Sequence, residues 1–106
     1  MHTLMVAYRH PDDPAAFRQY YADTHLPLAQ KIPGVRASRY TLEVATADGS
    51  PAPYFAVFEA DFDSAKSMGE ALESSAGQAA QADVANFASG GVEIMHFPAR
   101  HGSPSV

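Results

Sequence analysis

The chain has 106 residues and a formal net charge of −5, from twelve acidic and seven basic side chains. This length fits a single domain with a modest core, and a hydrophobic content of 46% is typical of a globular protein rather than a disordered one. The acidic balance argues against a nucleic-acid ligand, because cationic contacts to phosphate dominate that kind of binding. Cysteine is absent, which excludes disulfides and thiolate chemistry.

The amino-terminal residues lack a basic region followed by an apolar run, and no apolar stretch approaches the roughly 20 residues of a membrane-spanning helix. We therefore expect a cytoplasmic protein with no membrane partner and no nucleic-acid partner. The sequence contains no His-x-x-x-His spacing, no glycine-rich phosphate loop and no Gly-x-Ser-x-Gly. It predicts neither a metal site nor a cofactor.

The chain begins with a predicted strand and a predicted helix. Residues 3–9 are apolar on both faces, which indicates a strand that is covered on both sides. Asp13 is typical of a helix N-cap, and Pro14 is typical of the first helical position. The helix then carries an inward face at helical spacing, made of Phe17, Tyr20 or Tyr21, Thr24 and Leu28.

A proline limits the first helix, and a second strand follows it. Pro27 disfavours helical geometry at Leu26, so we expect the helix to bend or end near His25, with a short last turn over residues 27–31. Residues 35–46 are predicted to form the second strand. One face of that strand carries Tyr40, Leu42 and Val44.

The second half of the chain predicts a strand, two helices and a last strand. Asp63 or Ser64 caps the first of these helices, and Ser75 with Gln78 resembles a capping box that begins the next. The last strand is predicted over residues 92–97. The strand over residues 54–62 alternates between one face with Tyr54, Ala56, Phe58, Ala60 and Phe62 and another with Phe55, Val57 and Glu59.

This order of elements is that of the ferredoxin-like βαββαβ unit, an α+β fold with an antiparallel four-stranded sheet. Helices cover one face of such a sheet, whereas the first and third strands are apolar on both faces. Because no further element is left to cover the second face, a second copy of the chain is the simplest cover. We therefore expect a homodimer, a dimeric α+β barrel, with one domain over residues 1–97 and a polar tail over residues 98–106.

His25 is the leading candidate for a chemical role. A histidine at a helix end can move a proton near neutral pH, or it can cap the last helical carbonyls. Asp23 lies two positions away on the helix and points elsewhere, so we do not expect it to pair with His25. Tyrosine hydroxyls near His25 either belong to core aromatics or contact a ligand in the same cavity, and the candidates are Tyr8, Tyr20, Tyr21 and Tyr40.

Glu59 is the one carboxylate on an otherwise apolar strand face. It is predicted either to be a buried base that contacts the ligand or to form a salt bridge with Arg9 or Arg39. His96 shares a face with two aliphatic residues of the last strand and is predicted to be an ordinary sheet histidine.

The chain resembles the EthD family, named for a protein associated with degradation of ethyl tert-butyl ether. The resemblance covers residues 4–97. The residues that carry it are Phe17-Arg18-Gln19-Tyr20-Tyr21, His25-Leu26-Pro27-Leu28 and Pro33-Gly34-Val35, with weaker support from Phe62-Asp63-Ser64, Ala85-Asn86-Phe87 and Gly90-Gly91-Val92.

The resemblance implies a dimeric α+β barrel, and it places the family's histidine at His25 and its tyrosine at Tyr20 or Tyr21. The first hypothesis for the function of this chain is an enzyme that binds a small hydrophobic or aromatic molecule and carries out cofactor-free oxygenation, isomerisation or decarboxylation, with His25 as the acid–base group. The alternative is a non-catalytic binding or accessory protein of a degradation or biosynthesis pathway. A third hypothesis is haem binding, with His25 or His96 as the axial ligand.

Overall fold

The computed structural model describes residues 1–101 and contains a four-stranded antiparallel sheet with strand order β2-β3-β1-β4. This topology confirms the predicted ferredoxin-like α+β fold. The elements in chain order are β1 (His2–Tyr8), α1 (Pro14–Tyr20), a π-helical segment (Tyr21–His25), α2 (Leu26–Ala29), β2 (Ala37–Thr41), β3 (Ala56–Phe62), α3 (Ala65–Glu73), α4 (Ser75–Asp83), a 3₁₀ turn (Val84–Asn86) and β4 (Val92–Pro98).

The register of the central strand β1 assigns the two faces of the sheet. Leu4 lies opposite Ala60 on β3, whereas its neighbour Met5 lies opposite Glu59 on β3 and Met95 on β4. Because successive side chains point to opposite faces, the sheet has a helix face and an open face. The core on the helix face consists of Leu4, Val6, Tyr8, Phe17, Tyr21, Phe55, Ala56, Ala60, Phe62, Met68, Ala71 and Phe87.

The first helix continues through the position where an end or bend was predicted. Leu26 keeps helical dihedral angles, and its amide donates to the carbonyl of Tyr21, five residues earlier. In an α-helix with 3.6 residues per turn, side chains four positions apart differ by about 40° in direction around the helix axis. A π turn contains more residues per turn, which reduces this difference. The residues buried along the helix are therefore spaced by four and differ from the predicted set: Phe17, Tyr21, His25 and Ala29, with Thr24 exposed.

Strands β2 and β3 are shorter than predicted. β2 covers Ala37–Thr41 instead of residues 35–46, because the Thr41 hydroxyl accepts from the Glu43 amide and the chain turns away from β3. β3 begins at Ala56, and Phe55 before it does not join Val57 on the open face. Its ring packs edge-on against Phe17 on the helix side, with 5.0 Å between ring centroids.

The helix N-termini match the predicted capping chemistry with one correction. The Asp13 carboxylate accepts from the Ala16 amide and caps α1 as predicted, and Ser64 rather than Asp63 caps α3. The residue that caps α4 is Ser74, one position before the predicted Ser75. Ser74 has extended dihedral angles, so it ends α3 and begins α4 at once.

The open face is more polar than the sequence pattern predicted. Arg39 on β2 donates to Glu59 at 2.7 Å and to Asp61 at 3.0 Å, and at the other end of the face Glu93 accepts from Arg9 and Tyr54. Between these two polar clusters lies an apolar strip. Its members are Met5, Val57, Met95 and Phe97, of which Met95 is 43% exposed and Phe97 36% exposed.

The last strand extends one residue beyond the predicted domain end. β4 ends at Pro98, and the amide of Ala99 donates to the carbonyl of Met1 at 2.9 Å. The rest of the predicted polar tail, residues 102–106, lies outside the described residues.

Gly77 in α4 permits a close contact with the end of α3, and it generates a stability prediction. A Cβ at Gly77 would lie 2.2 Å from the carbonyl oxygen of Ala71, whereas a Cβ at Gly69 in α3 would meet nothing within 4 Å. We expect Gly77→Ala to lower the free energy of unfolding by about 1–3 kcal/mol. Gly69→Ala, the matched control, should raise it by about 0.5–1 kcal/mol. Urea unfolding followed by circular dichroism tests this, and equal effects of the two changes would contradict the close contact.

Candidate functional site

A cavity of about 340 Å³ lies between the helix face of the sheet and helices α2 and α4. Strands β1, β3 and β4 form its floor. Its walls are almost entirely apolar, and its polar side chains are Tyr8, His25 and Gln81. The apolar lining consists of Leu4, Val6, Ala29, Ile32, Phe58, Leu72, Gly77, Ala80, Val84, Val92 and Ile94.

His25 enters this cavity from the last residue of the π-helical segment. Its residue surface is only 6% exposed, and its ring lies against Phe87 with 4.6 Å between centroids. Nδ1 lies 3.0 Å from Oδ2 of Asp83, the last residue of α4. The dominant partner of His25 is therefore a carboxylate 58 residues away in sequence and not a helix carbonyl.

Asp83 is a buried carboxylate, 7% exposed, held by three side-chain donors. The Tyr20 hydroxyl and the Asn86 amide donate to Oδ1 at 2.6 and 3.0 Å, and His25 bonds Oδ2. Burial by itself raises the pKa of the Asp83 carboxyl. The bonds from Tyr20, Asn86 and His25 outweigh burial and hold that pKa below its ordinary value. Asp83 is thus ionised at neutral pH.

An ionised Asp83 fixes the proton position on the His25 ring. A carboxylate only accepts hydrogen bonds, so Nδ1 carries the proton and the neutral ring has its lone pair at Nε2. Within residues 1–101 no buried side-chain nitrogen or oxygen is left without a partner, and His25 bonds the protein through Nδ1. Since no bond to Nε2 in these residues accompanies the bond at Nδ1, Nε2 is not a fully buried atom, and the space that His25 lines is this cavity.

Tyr8 lines the same cavity as His25. Its residue surface is 2% exposed, and its ring packs edge-on against Phe17 and Tyr21 at centroid distances of 5.4 and 5.8 Å. Burial, and secondarily the negative charge of Asp83, raises the pKa of the Tyr8 hydroxyl above its ordinary value. The hydroxyl therefore stays protonated at neutral pH, and it has a proton to donate in a hydrogen bond.

The other three candidate tyrosines lie outside this cavity lining. Tyr20 faces a second, outer groove and reaches only the far oxygen of Asp83. Tyr21 is a core residue, 1% exposed, whose ring packs against His25. Tyr40 is 48% exposed on β2 and touches the edge of Tyr21 with 5.6 Å between centroids.

Glu59 and His96 also lie away from the cavity. Glu59 lies on the open face and forms a salt bridge with Arg39. Of its two predicted roles, the structure therefore contains the salt bridge and not the buried base. The pairing follows from register, since Arg39 lies directly opposite Glu59. His96 is an exposed residue of β4 whose Nδ1 lies 2.8 Å from Nε2 of His2.

Asp83 is the residue of the candidate site that the sequence interpretation missed. It lies three residues after Ala80 and four before Phe87, so it falls on the inward stripe of the last helix. A charged residue on an apolar helical stripe requires a buried partner. That signal was present in the sequence, although it does not say which residue is the partner.

The EthD domain model matches residues 9–91, well over half of the chain. The chain belongs to the EthD family. An uncharacterised 11.0 kDa protein of Rhodococcus erythropolis, from the thcB–thcC intergenic region, is 43% identical to this EthD protein over 96 residues, which cover 90% of this chain and 91% of that one. An EthD family protein from Bacillus halodurans is 30% identical, with a TM-score of 0.88 over 94% of this chain and 99% of its own. These matches confirm the family resemblance.

Structures with lower identity share the fold alone. A hydroxynitrile lyase from Passiflora edulis is 12% identical, with a TM-score of 0.72 over 97% of each chain. The cofactor-independent oxygenase SnoaB from Streptomyces nogalater is 18% identical, with a TM-score of 0.62 over 97% of this chain and 95% of that one. A ferredoxin-like protein of unknown function from Thermobifida fusca, described as dimeric, is 17% identical, with a TM-score of 0.66 over 92% and 90% of the two chains.

Two further observations describe this EthD chain within residues 1–101. No group of three or more histidines, aspartates and glutamates is arranged to hold a metal ion. In the same residues, every helix is too short or too polar to cross a membrane.

The lowered pKa of Asp83 predicts a specific dependence of stability on pH. Between that pKa and the ordinary value of 3.8, the unfolded chain binds more protons than the folded one. The ionised carboxylate therefore stabilises the fold above about pH 4, and this contribution is lost as pH falls through the lowered pKa. We expect Asp83→Asn to cost about 1–3 kcal/mol at pH 7 and progressively less toward pH 2.

Urea unfolding at several pH values measures the difference between wild type and Asp83→Asn. Asp23→Asn, at an exposed position of the π-helical segment, is the control. A difference that stays constant from pH 7 to pH 2 would contradict an ionised, hydrogen-bonded Asp83.

Proposed function

We propose that this EthD protein is a cytoplasmic, cofactor-independent enzyme that moves a proton on a small hydrophobic or aromatic molecule, with His25 as the acid–base group. The observation that carries the proposal is the His25–Asp83 pair at 3.0 Å on the wall of an apolar cavity. A carboxylate that holds Nδ1 leaves Nε2 as a base and stabilises the imidazolium that forms when a proton is taken up.

The cavity chemistry defines the ligand class. A volume of about 340 Å³ with aliphatic walls suits a small molecule that is mostly hydrophobic. A ligand that places its polar end between Tyr8 and His25 meets one donor and one acceptor. A carbonyl compound with an acidic neighbouring C–H bond fits this pair, and so does a phenol or enol.

The proton transfer balances without a cofactor. Nε2 of His25 takes a proton from the carbon next to the carbonyl, and the bonding electrons move onto the carbonyl oxygen to form an enolate. The Tyr8 hydroxyl donates a hydrogen bond to that oxygen, which stabilises the developing negative charge. Return of the proton from the imidazolium to another carbon gives isomerisation. Reaction of the same enolate with dioxygen as the oxidant gives oxygenation. Decarboxylation of a β-keto acid breaks a C–C bond, releases CO₂ and leaves the same type of enolate, which then takes up a proton from the imidazolium.

The fold-level neighbours support this proposal without identifying a substrate. They include one protein named as a cofactor-independent oxygenase and one named as a hydroxynitrile lyase. Both names describe chemistry that is compatible with acid–base groups alone, which is what the cavity of this chain offers.

Deuterium exchange tests the proposed base. With 2-tetralone as a probe ketone in D₂O, we expect the wild-type protein to accelerate exchange at the acidic carbon. His25→Gln should lower the rate by about 10²–10⁴-fold, because it removes the general base while keeping the size of the side chain. Asp83→Asn should produce a loss of the same order, because it no longer fixes the proton on Nδ1.

Tyr54→Phe is the control for this experiment, since Tyr54 bonds Glu93 on the open face. Binding of the probe is followed by amide chemical shifts of the cavity residues. Exchange by His25→Gln at the wild-type rate would show that His25 is not the base. Binding with no acceleration by the wild type would favour the non-catalytic binding protein instead.

We also propose that two copies of the chain pack through their open faces as a homodimer. The apolar strip of Met5, Val57, Met95 and Phe97 lies between two polar clusters, and interfaces typically have an apolar centre with a polar rim. A structure with the same fold from Thermobifida fusca is described as dimeric. In such a dimer the helix-face cavities stay on the outside of the paired sheets.

A charge in the apolar strip tests the dimer. We expect Val57→Lys to convert the dimer to a monomer, because two lysine ammonium groups would be buried without partners. Arg18→Glu, on the helix side against Phe55, is the control and should leave the mass unchanged. Light scattering over a dilution series measures the mass. A monomeric wild type would contradict the proposal.

A further inference from the structure

The Asp83 carboxylate connects two separate surface features of the molecule. Its Oδ2 bonds His25, which lines the cavity, and its Oδ1 accepts from Tyr20 and Asn86, which line the outer groove. Neither Tyr20 nor Asn86 lines the cavity, so a ligand held there would touch neither. Both nevertheless donate hydrogen bonds to Asp83, which is the hydrogen-bond partner of the proposed base His25.

We propose that Tyr20 and Asn86 are positioning residues that set how firmly Asp83 holds the proton of His25. This proposal rests on the proposed role of His25 as the base. The sequence predicted Tyr20 as a ligand contact. In this proposal Tyr20 acts on His25 instead, through its hydrogen bond to the Asp83 carboxylate.

The first argument is electrostatic. A hydrogen bond donated to Oδ1 stabilises the ionised carboxylate, which is why Tyr20 and Asn86 help to hold the pKa of Asp83 down. A carboxylate whose charge is shared with two other donors attracts an imidazolium less strongly. Removal of the outer donors should therefore strengthen the attraction between Asp83 and an imidazolium at His25.

The second argument is geometric. Tyr20 comes from α1 and Asn86 from the 3₁₀ turn, so they reach Oδ1 from two different elements. Two donors on one oxygen fix the plane of the carboxylate and leave Oδ2 directed at Nδ1 of His25. A carboxylate that was free to rotate would leave the His25 ring, and with it Nε2, less sharply oriented.

Tyr20 also packs its ring on Phe87, with 5.5 Å between centroids and 27° between planes. A purely structural role for this tyrosine predicts a different outcome from a positioning role. Tyr20→Phe separates the two roles, because it keeps the ring and removes only the hydroxyl.

The experiment measures two properties that packing alone would not move. The first is the titration of the Asp83 side-chain carboxyl, followed by ¹³C NMR of the free protein. The second is the pH profile of 2-tetralone exchange. The variants are Tyr20→Phe and Tyr20→Phe with Asn86→Ala. The control is Tyr54→Phe, which removes a tyrosine-to-carboxylate bond on the open face.

We expect the Asp83 titration to move to higher pH in Tyr20→Phe and further in the double variant. The acidic limb of the exchange profile should move upward by about half a unit to one unit, which is about a three- to tenfold loss of rate at a fixed pH on that limb. Tyr54→Phe should move neither. An unchanged Asp83 titration in the double variant, or an acidic limb of the exchange profile that does not move, would overturn the proposal.

The two readouts also separate this inference from the function on which it rests. If the wild type does not accelerate exchange, the proposed base is wrong, and the Asp83 titration still decides whether Tyr20 and Asn86 tune the carboxylate. If exchange proceeds but the titration does not move, the base stands and the positioning role falls.

Discussion

The buried carboxylate of Asp83 is the interaction on which the rest of the site depends. An ionised group in a buried place is stable only when donors replace the water it has lost. Here the donors come from three segments: Tyr20 from α1, His25 from the end of the π-helical segment and Asn86 from the turn after α4. The same bonds connect α1 and the π-helical segment to the end of α4, and they orient the imidazole. Stability and proposed chemistry are therefore coupled through one side chain.

The π-helical segment is the local backbone feature that makes this arrangement possible. An α-helix continued at 3.6 residues per turn from Phe17 would direct Thr24 inward. The wider π turn directs His25 inward instead and leaves Thr24 in solvent. Pro27 fits this geometry because it has no amide proton to donate, and it is accommodated at the start of α2. Single π turns occur frequently at functional sites, and this one is consistent with that tendency.

The two faces of the sheet separate the proposed catalytic site from the proposed dimer interface. On β1, Tyr8 points to the cavity on the helix face, whereas Met5 and Ala7 point to the open face. Because successive side chains of a strand point to opposite faces, β1 contributes residues to both the cavity and the open face. The open face combines an apolar strip with the Arg39 cluster and the Glu93 cluster. In the proposed dimer, that mixture would give a second copy both a hydrophobic centre and a defined orientation, which a uniformly apolar face would not provide.

The sequence by itself determined the order of elements, the α+β class and the Asp13 cap of α1, and it singled out His25 as the leading candidate residue. These features follow from local spacing, capping chemistry and a family motif, all of which are contained in short segments of chain.

The tertiary structure decided which residues meet. It brought Asp83 to His25 across 58 positions, paired Glu59 with Arg39 through strand register, and moved Tyr20 away from the cavity. It also selected Tyr21 over Tyr20 for the core, because the two are adjacent on a helix and only packing against Tyr8 and Phe17 distinguishes them. Residue spacing and capping preferences determine the secondary structure of each segment. Contacts between distant segments depend on how the whole chain packs around its core.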